Sequence, residues 1–143
     1  MTITVNSENL NKKRRIDLSK VGKVAAEVFK VLKKKDGEVN IVFFSSQKMR
    51  ALNRRYTGRD NSTDVLAFSP EKNKSRFDGD IAICTDKAAS NARVYGATFT
   101  EETVLYVIHG ILHLDGYDDT SEKTRKVMRA KEEGLAKKVR KFL

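Results

Sequence analysis

The sequence predicts an α+β fold, a small mixed β-sheet of about four strands packed with about five helices. Four short apolar runs are separated by segments whose apolar residues recur at helical spacing. Their order is β-α-β-α-β-β-α-α-α, and the third and fourth strands read as a hairpin with a long loop. At 143 residues the chain can bury one core but hardly two, so a single domain spanning 1–143 is expected.

Each element has its own signal. Ile3-Thr4-Val5 reads as a short opening strand, followed by the charged loop Lys12-Lys13-Arg14-Arg15. Leu18, Val21, Ala25, Val28, Phe29 and Leu32 give the first amphipathic helix; Lys33-Lys34-Lys35 suits its C-terminal dipole, and Asp36-Gly37 supplies the stop. Val39 to Phe44 is an apolar strand. Ser45 or Ser46 can cap a helix running to about Tyr56, and 57–62 is a polar loop. Val65 to Phe68 is the third strand, ended by Pro70; 71–77 is a basic connection, and Gly79 to Cys84 is the fourth strand. Thr85 can cap a helix through Val94, which Tyr95-Gly96 breaks. A long apolar helix covers about Thr100 to Leu114, a loop carries Asp115 to Asp119, and a very basic helix runs from Thr120 nearly to the end.

Hydrophobic residues make up 39% with a single proline, which excludes a disordered composition. The net charge of +10 favours polyanionic partners, RNA or DNA above all. The one cysteine, Cys84, rules out an internal disulfide and suggests a reducing compartment. No apolar run approaches the ~20 residues of a membrane span and the N-terminus has no secretory signature, so a cytoplasmic protein with no membrane partner is expected.

The chemistry points to one segment. The only two histidines, His109 and His113, lie four residues apart on one predicted helix, the spacing by which a helix offers two imidazoles to one metal. Gly116 can end that helix in a left-handed conformation and return the chain, so that Asp118 and Asp119 come back as oxygen ligands or hydrogen-bond acceptors. Two His and one carboxylate with an open position is a known catalytic zinc set. Gly110 stands where a zinc protease of the H-E-x-x-H kind needs its glutamate, which disfavours peptide hydrolysis. Against ligation, Asp119-Thr120-Ser121-Glu122 has the spacing of a capping box, so Asp119 has a purely structural alternative.

The stretch from His109 to Asp119 resembles the YbeY family signature H-G-x-L-H-L-x-G-Y-D-H at every position but the last. Leu52-Asn53, Tyr56, Asp60 and Thr63-Asp64-Val65-Leu66-Ala67-Phe68 resemble the family's L-N-x-x-Y-R-x-x-D-x-P-T-D-V-L-S-F, and Gly79 to Cys84 resembles its G-D-I-x-I-C. The resemblance implies a zinc-bound, single-strand-specific endoribonuclease acting in ribosomal RNA maturation, especially at the 3′ end of the small-subunit RNA, and in ribosome quality control. Its implied partners are single-stranded RNA, the small ribosomal subunit and associated proteins. The implied metal ligands are His109, His113 and, in place of the family's third His, Asp119. The family's Arg after the Tyr is Thr57 here, so Arg55 or Arg59 is expected to take the catalytic phosphate-holding role beside His109 and His113. The family's Pro before Thr63 is Ser62.

An Asp ligand cancels one unit of the ion's charge, so its bound water is acidified less than by three imidazoles. Iron or manganese would suit two His and one carboxylate as well as Zn2+. Backbone-holding cations are expected among Arg55, Arg59, Lys72, Lys74 and Arg76, with Lys137, Lys138, Arg140 and Lys141 adding non-specific affinity, and Tyr56 and Tyr117 are candidates for stacking on bases. The competing readings are a non-catalytic RNA-binding ribosome-maturation factor whose metal only holds the fold, and, more remotely, a non-haem iron oxygenase.

Overall fold

The computed structural model describes residues 2–70 and 75–143. Four strands, β1 (Ile3–Asn9), β2 (Gly37–Phe44), β3 (Val65–Phe68) and β4 (Gly79–Cys84), form one sheet in the order β1-β2-β4-β3. β1 and β4 run parallel to β2, and β3 is antiparallel to β4 with Val65 opposite Ile83 and Phe68 opposite Asp80. The expected hairpin and mixed sheet are both present. β1 is longer than Ile3-Thr4-Val5, because its polar second half, Asn6 to Asn9, still pairs with Asn40 to Phe43.

Five helices pack on this sheet: α1 (Leu18–Val31), α2 (Ser46–Thr57), α3 (Thr85–Tyr95), α4 (Phe99–Leu114) and α5 (Glu122–Val139), closed by a 3-10 turn at Arg140–Phe142. On one face Val39, Ile41, Phe43, Ile81 and Ile83 meet Val24 and Val28 of α1, Val107, Ile108 and Ile111 of α4 and Met128 and Leu135 of α5. Fully burying each such side chain is worth about 1.5–3 kcal/mol. Strand alternation sends Ala82 and Cys84 to the other face, where they meet Met49 and Leu52 of α2. α2 and α4 therefore lie on opposite sides of the sheet.

The caps correct two expectations. Ser45 caps α2 as expected, but the N-cap of α3 is Cys84, whose sulfur accepts from the Lys87 N–H; Thr85 is inside the helix and fully buried. Asp119 does not start α5. That role belongs to Ser121, whose hydroxyl accepts from the Thr124 N–H at 3.1 Å while the Thr124 hydroxyl accepts from the Ser121 N–H at 3.0 Å. The capping residue at the N-terminus of α4 is Thr98, in a reciprocal pair with Glu101.

Candidate metal centre

α4 can carry a site because it lies so close to the sheet. A Cβ on Gly110 would stand 2.5 Å from Ile81 Cγ2 and 3.3 Å from Val65 Cγ1, so only glycine permits this approach. His109 and His113 flank that contact and are both partly buried. The helix ends in a Schellman turn: Tyr117 N–H donates to Leu112 O at 3.0 Å, Gly116 N–H donates to His113 O at 3.1 Å, and Gly116 takes φ +96°. The turn reverses the chain and delivers Asp119, whose Oδ2 stands 3.9 Å from Nε2 of each histidine.

The outer nitrogens fix the tautomers. His113 Nδ1 lies 3.1 Å from the Tyr117 carbonyl, which only accepts, so that nitrogen carries a proton. His109 Nδ1 lies 3.3 Å from Glu132 Oε1 on α5, with the same consequence. Both Nε2 lone pairs then point inward, 3.0 Å apart. Two lone pairs at that distance repel unless a proton or a metal ion lies between them. The three ligand atoms form a triangle with sides of 3.0, 3.9 and 3.9 Å, whose equidistant point is about 2.1 Å from every corner, within the bond lengths of zinc to imidazole nitrogen and carboxylate oxygen. His109, His113 and Asp119 thus form a group able to hold a metal ion, and Asp119, the exposed member, leaves one side open to solvent. The donor set fits a divalent ion.

Further carboxylates surround His109. Burial alone would lower its basicity, but the hydrogen bond and charge of Glu132, with the charges of Asp64 and Asp119, outweigh it and raise the pKa. Glu102, seven residues before His109 on α4, is itself pushed up by burial and by the nearness of Glu132 and Asp64. Asp118 spends its Oδ1 on accepting from the Thr120 N–H and hydroxyl, at 3.2 and 3.0 Å, so it acts as a hydrogen-bond acceptor that shapes the loop carrying Asp119.

The role of Glu132 escapes sequence reasoning. It lies in a charged stretch of α5 that reads as solvated, and only the packing of α5 on α4 brings it to His109. Asp64 sits inside a quoted motif, but nothing in its spacing announces that its charge reaches the histidine.

The expected cations are distributed differently. Arg55 stacks its guanidinium over Tyr56, 5.6 Å from the ring centroid, and Arg59 is exposed just beyond the end of α2. Among the described residues no hydrogen bond, ion pair or ring contact joins either to the metal triad. Thr57 donates to the Asn53 carbonyl and amide oxygens at 2.7 and 2.8 Å, locking the end of α2. Asp60 is held in a two-point pair by Arg50, a residue the sequence did not single out. Arg76 pairs with Asp78 and Asp36, and Lys141 with Glu27. Lys72 and Lys74 lie outside the described residues. Tyr56 is 57% exposed against Phe68, whereas Tyr117 packs on the core. No helix among the described residues is long and apolar enough to cross a membrane.

The chain is 39% identical over 112 residues to an Endoribonuclease YbeY of Desulforamulus reducens, covering 73% of each chain. It is 38% identical over 119 residues to that of Elusimicrobium minutum, covering 80% of this chain and 82% of the relative. The solution structure of TM1509 from Thermotoga maritima superposes with a TM-score of 0.66 at 30% identity, over 96% of this chain and 89% of that one. The family model described as Endoribonuclease YbeY matches residues 6–140, and the chain belongs to that family.

Proposed function

We propose that this chain is a metal-dependent, single-strand-specific endoribonuclease that matures ribosomal RNA at the 3′ end of the small-subunit RNA and takes part in ribosome quality control. The observation that carries the metal-dependent chemistry is the convergence of two imidazole lone pairs and one carboxylate on a single point. The endoribonuclease activity follows from membership of the YbeY family.

A bound divalent ion supplies Lewis acidity toward a phosphate oxygen and lowers the pKa of a coordinated water. His109, His113 and Asp119 would hold it. Glu132 and the Tyr117 carbonyl keep the imidazoles in the ligating tautomer and rotation. The open side at Asp119 admits the scissile phosphate. Zn2+ is the favoured ion because the ligand triangle matches its bond lengths, though the same donors also suit iron or manganese. Arg55 and Arg59, both exposed, would hold the RNA backbone from α2 in place of the arginine that Thr57 replaces. The chain would work as a single domain in the cytoplasm, on single-stranded RNA presented by the small subunit and its proteins.

The test is cleavage of a labelled single-stranded RNA by zinc-loaded wild type and by His113→Ala, purified identically. Cleavage by the wild type that vanishes in the variant is the expected result. No cleavage by the wild type, or equal cleavage by both, would overturn the reading in favour of a non-catalytic RNA-binding factor with a structural metal.

A further inference from the structure

A cleft of about 640 Å³ opens between the start of β1 and the end of α1, lined by Ile3, Phe29 and the four lysines Lys30, Lys33, Lys34 and Lys35 among others. Lys30, Lys33 and Lys35 are exposed, and among the described residues none has a carboxylate within ion-pairing distance. Lys34 is committed elsewhere: its Nζ pairs with Asp115 Oδ1 at 2.8 Å. Asp115 caps α4, two residues after His113 and four before Asp119, so one ion pair joins the lysine turn to the loop that carries the metal ligands.

The backbone of this turn is unusual. α1 ends in a Schellman turn, with Lys34 N–H donating to Phe29 O at 2.9 Å and Lys33 N–H to Lys30 O at 3.1 Å. The left-handed position at its centre belongs to glycine in most helices, and α2, α3 and α4 of this chain all use glycine there. Here it is Lys33, at φ +59°, the one non-glycine residue with positive φ among those described. A lysine at that position costs stability that glycine would not. Dipole compensation does not require it, since Lys30 already occupies the last turn.

The metal centre needs cations from elsewhere. Asp64, Glu132 and Asp119 lie around His109, so an RNA strand there needs cations to hold its backbone beyond Arg55 and Arg59 of the α2 end.

We propose that the Lys30–Lys33–Lys35 cleft is a binding site for the phosphate backbone of the single-stranded RNA substrate, gripping the strand beside the scissile position. It rests on the endoribonuclease reading above. Flexible ammonium groups over an apolar floor of Ile3 and Phe29 hold phosphates without reading bases.

The experiment measures binding of a short fluorescent single-stranded RNA, and of DNA of the same sequence as an uncleaved probe with equal backbone charge, to the zinc-loaded full chain across a salt series. Wild type is compared with Lys30→Gln/Lys33→Gln/Lys35→Gln, with Lys33→Gly, and with a charge-matched control, Lys12→Gln/Lys13→Gln/Lys23→Gln. The cleft triple is expected to bind about tenfold or more weakly and to lose about 2 from the log–log salt slope, at roughly 0.7 per phosphate contact. Lys33→Gly is expected to bind several-fold more weakly while its Tm rises by about 2–4 °C, because glycine relieves the left-handed backbone; a purely structural lysine would change the Tm alone. Unchanged binding by the cleft triple, or an equal loss in the control, overturns the site and leaves the nuclease reading standing if RNA is still cleaved. Absence of any RNA binding or cleavage by the wild type overturns both. Polyglutamate that competes as well as RNA of equal charge would overturn RNA as the occupant.

Discussion

Replacing Glu132 with Gln tests whether the site is a built metal centre or a chance meeting of polar groups. Glu132 touches none of the metal's own positions; it acts through His109 Nδ1 at 3.3 Å. Removing a partner of this kind weakens metal binding by about 10- to 100-fold, or about 1.4–2.7 kcal/mol. The contact is longer than an optimal charge-assisted hydrogen bond, which places the expected loss at the lower end, near tenfold. The Glu132 side chain is only 15% exposed, so solvent screening discounts little of it.

The pH dependence gives the prediction a second readout. In the metal-free protein the hydrogen bond and charge of Glu132 help hold the His109 pKa above that of a free imidazole. A group whose folded pKa is raised contributes stability that is fully present below the unfolded pKa and disappears as pH rises through the folded one. Metal-free Glu132→Gln should therefore lose stability mainly in acid, and its His109 imidazole should titrate at lower pH. In wild type the proton competes with the metal at His109, so the deficit in zinc affinity should grow from acid to neutral pH. Chelator competition for zinc and an imidazole resonance titration measure both quantities. Affinity within twofold of wild type at neutral pH, with an unmoved His109 titration, would refute the reasoning.

Three further outcomes follow from the geometry. Gly110→Ala should cost about 1–3 kcal/mol in thermal or denaturant unfolding and weaken zinc binding, because the new methyl meets the branch carbon of Ile81 at 2.5 Å and pushes α4 off the sheet; unchanged stability would mean that α4 lies farther away. Leu112→Ala removes a fully buried side chain at the Schellman turn and should cost about 2–5 kcal/mol, read as a lower Tm. Asp119→His replaces the charged donor of the proposed ligand set with a neutral one, so the pH–rate profile for RNA cleavage should shift to lower pH; a profile that stays in place would show that Asp119 does not tune the bound water.

Much of this was legible from periodicity. The helix carrying His109 and His113, the hairpin of β3 and β4 and the left-handed Gly116 are all local patterns. The less legible features depend on contacts between distant segments. Asp119 fitted a capping box as well as a ligand, because Ser121 and Thr124 form the same motif two residues later; only the folded loop separates the two. Thr85 fitted the cap of α3 by residue type, whereas the folded chain brings the sulfur of the preceding Cys84 to the Lys87 N–H. The pairing of Glu132 with His109, and the left-handed Lys33 in a run of three lysines, leave no trace in a one-dimensional pattern.

All three candidate ligands fall within eleven consecutive residues, His109 to Asp119, whereas Glu132 reaches the site only when α5 docks. Closing so short a loop costs little entropy. On the proposed reading the unfolded chain would retain affinity for the ion, and loading would protect the fold by less than the native dissociation constant alone would give, because mass action would also favour the open chain. During synthesis the proposed ion would then be open to capture before the last helix exists. Docking of α5 would then convert a loose, exchangeable complex into a tight one, with the C-terminal helix as the latch on a site whose donors all lie in the preceding segment.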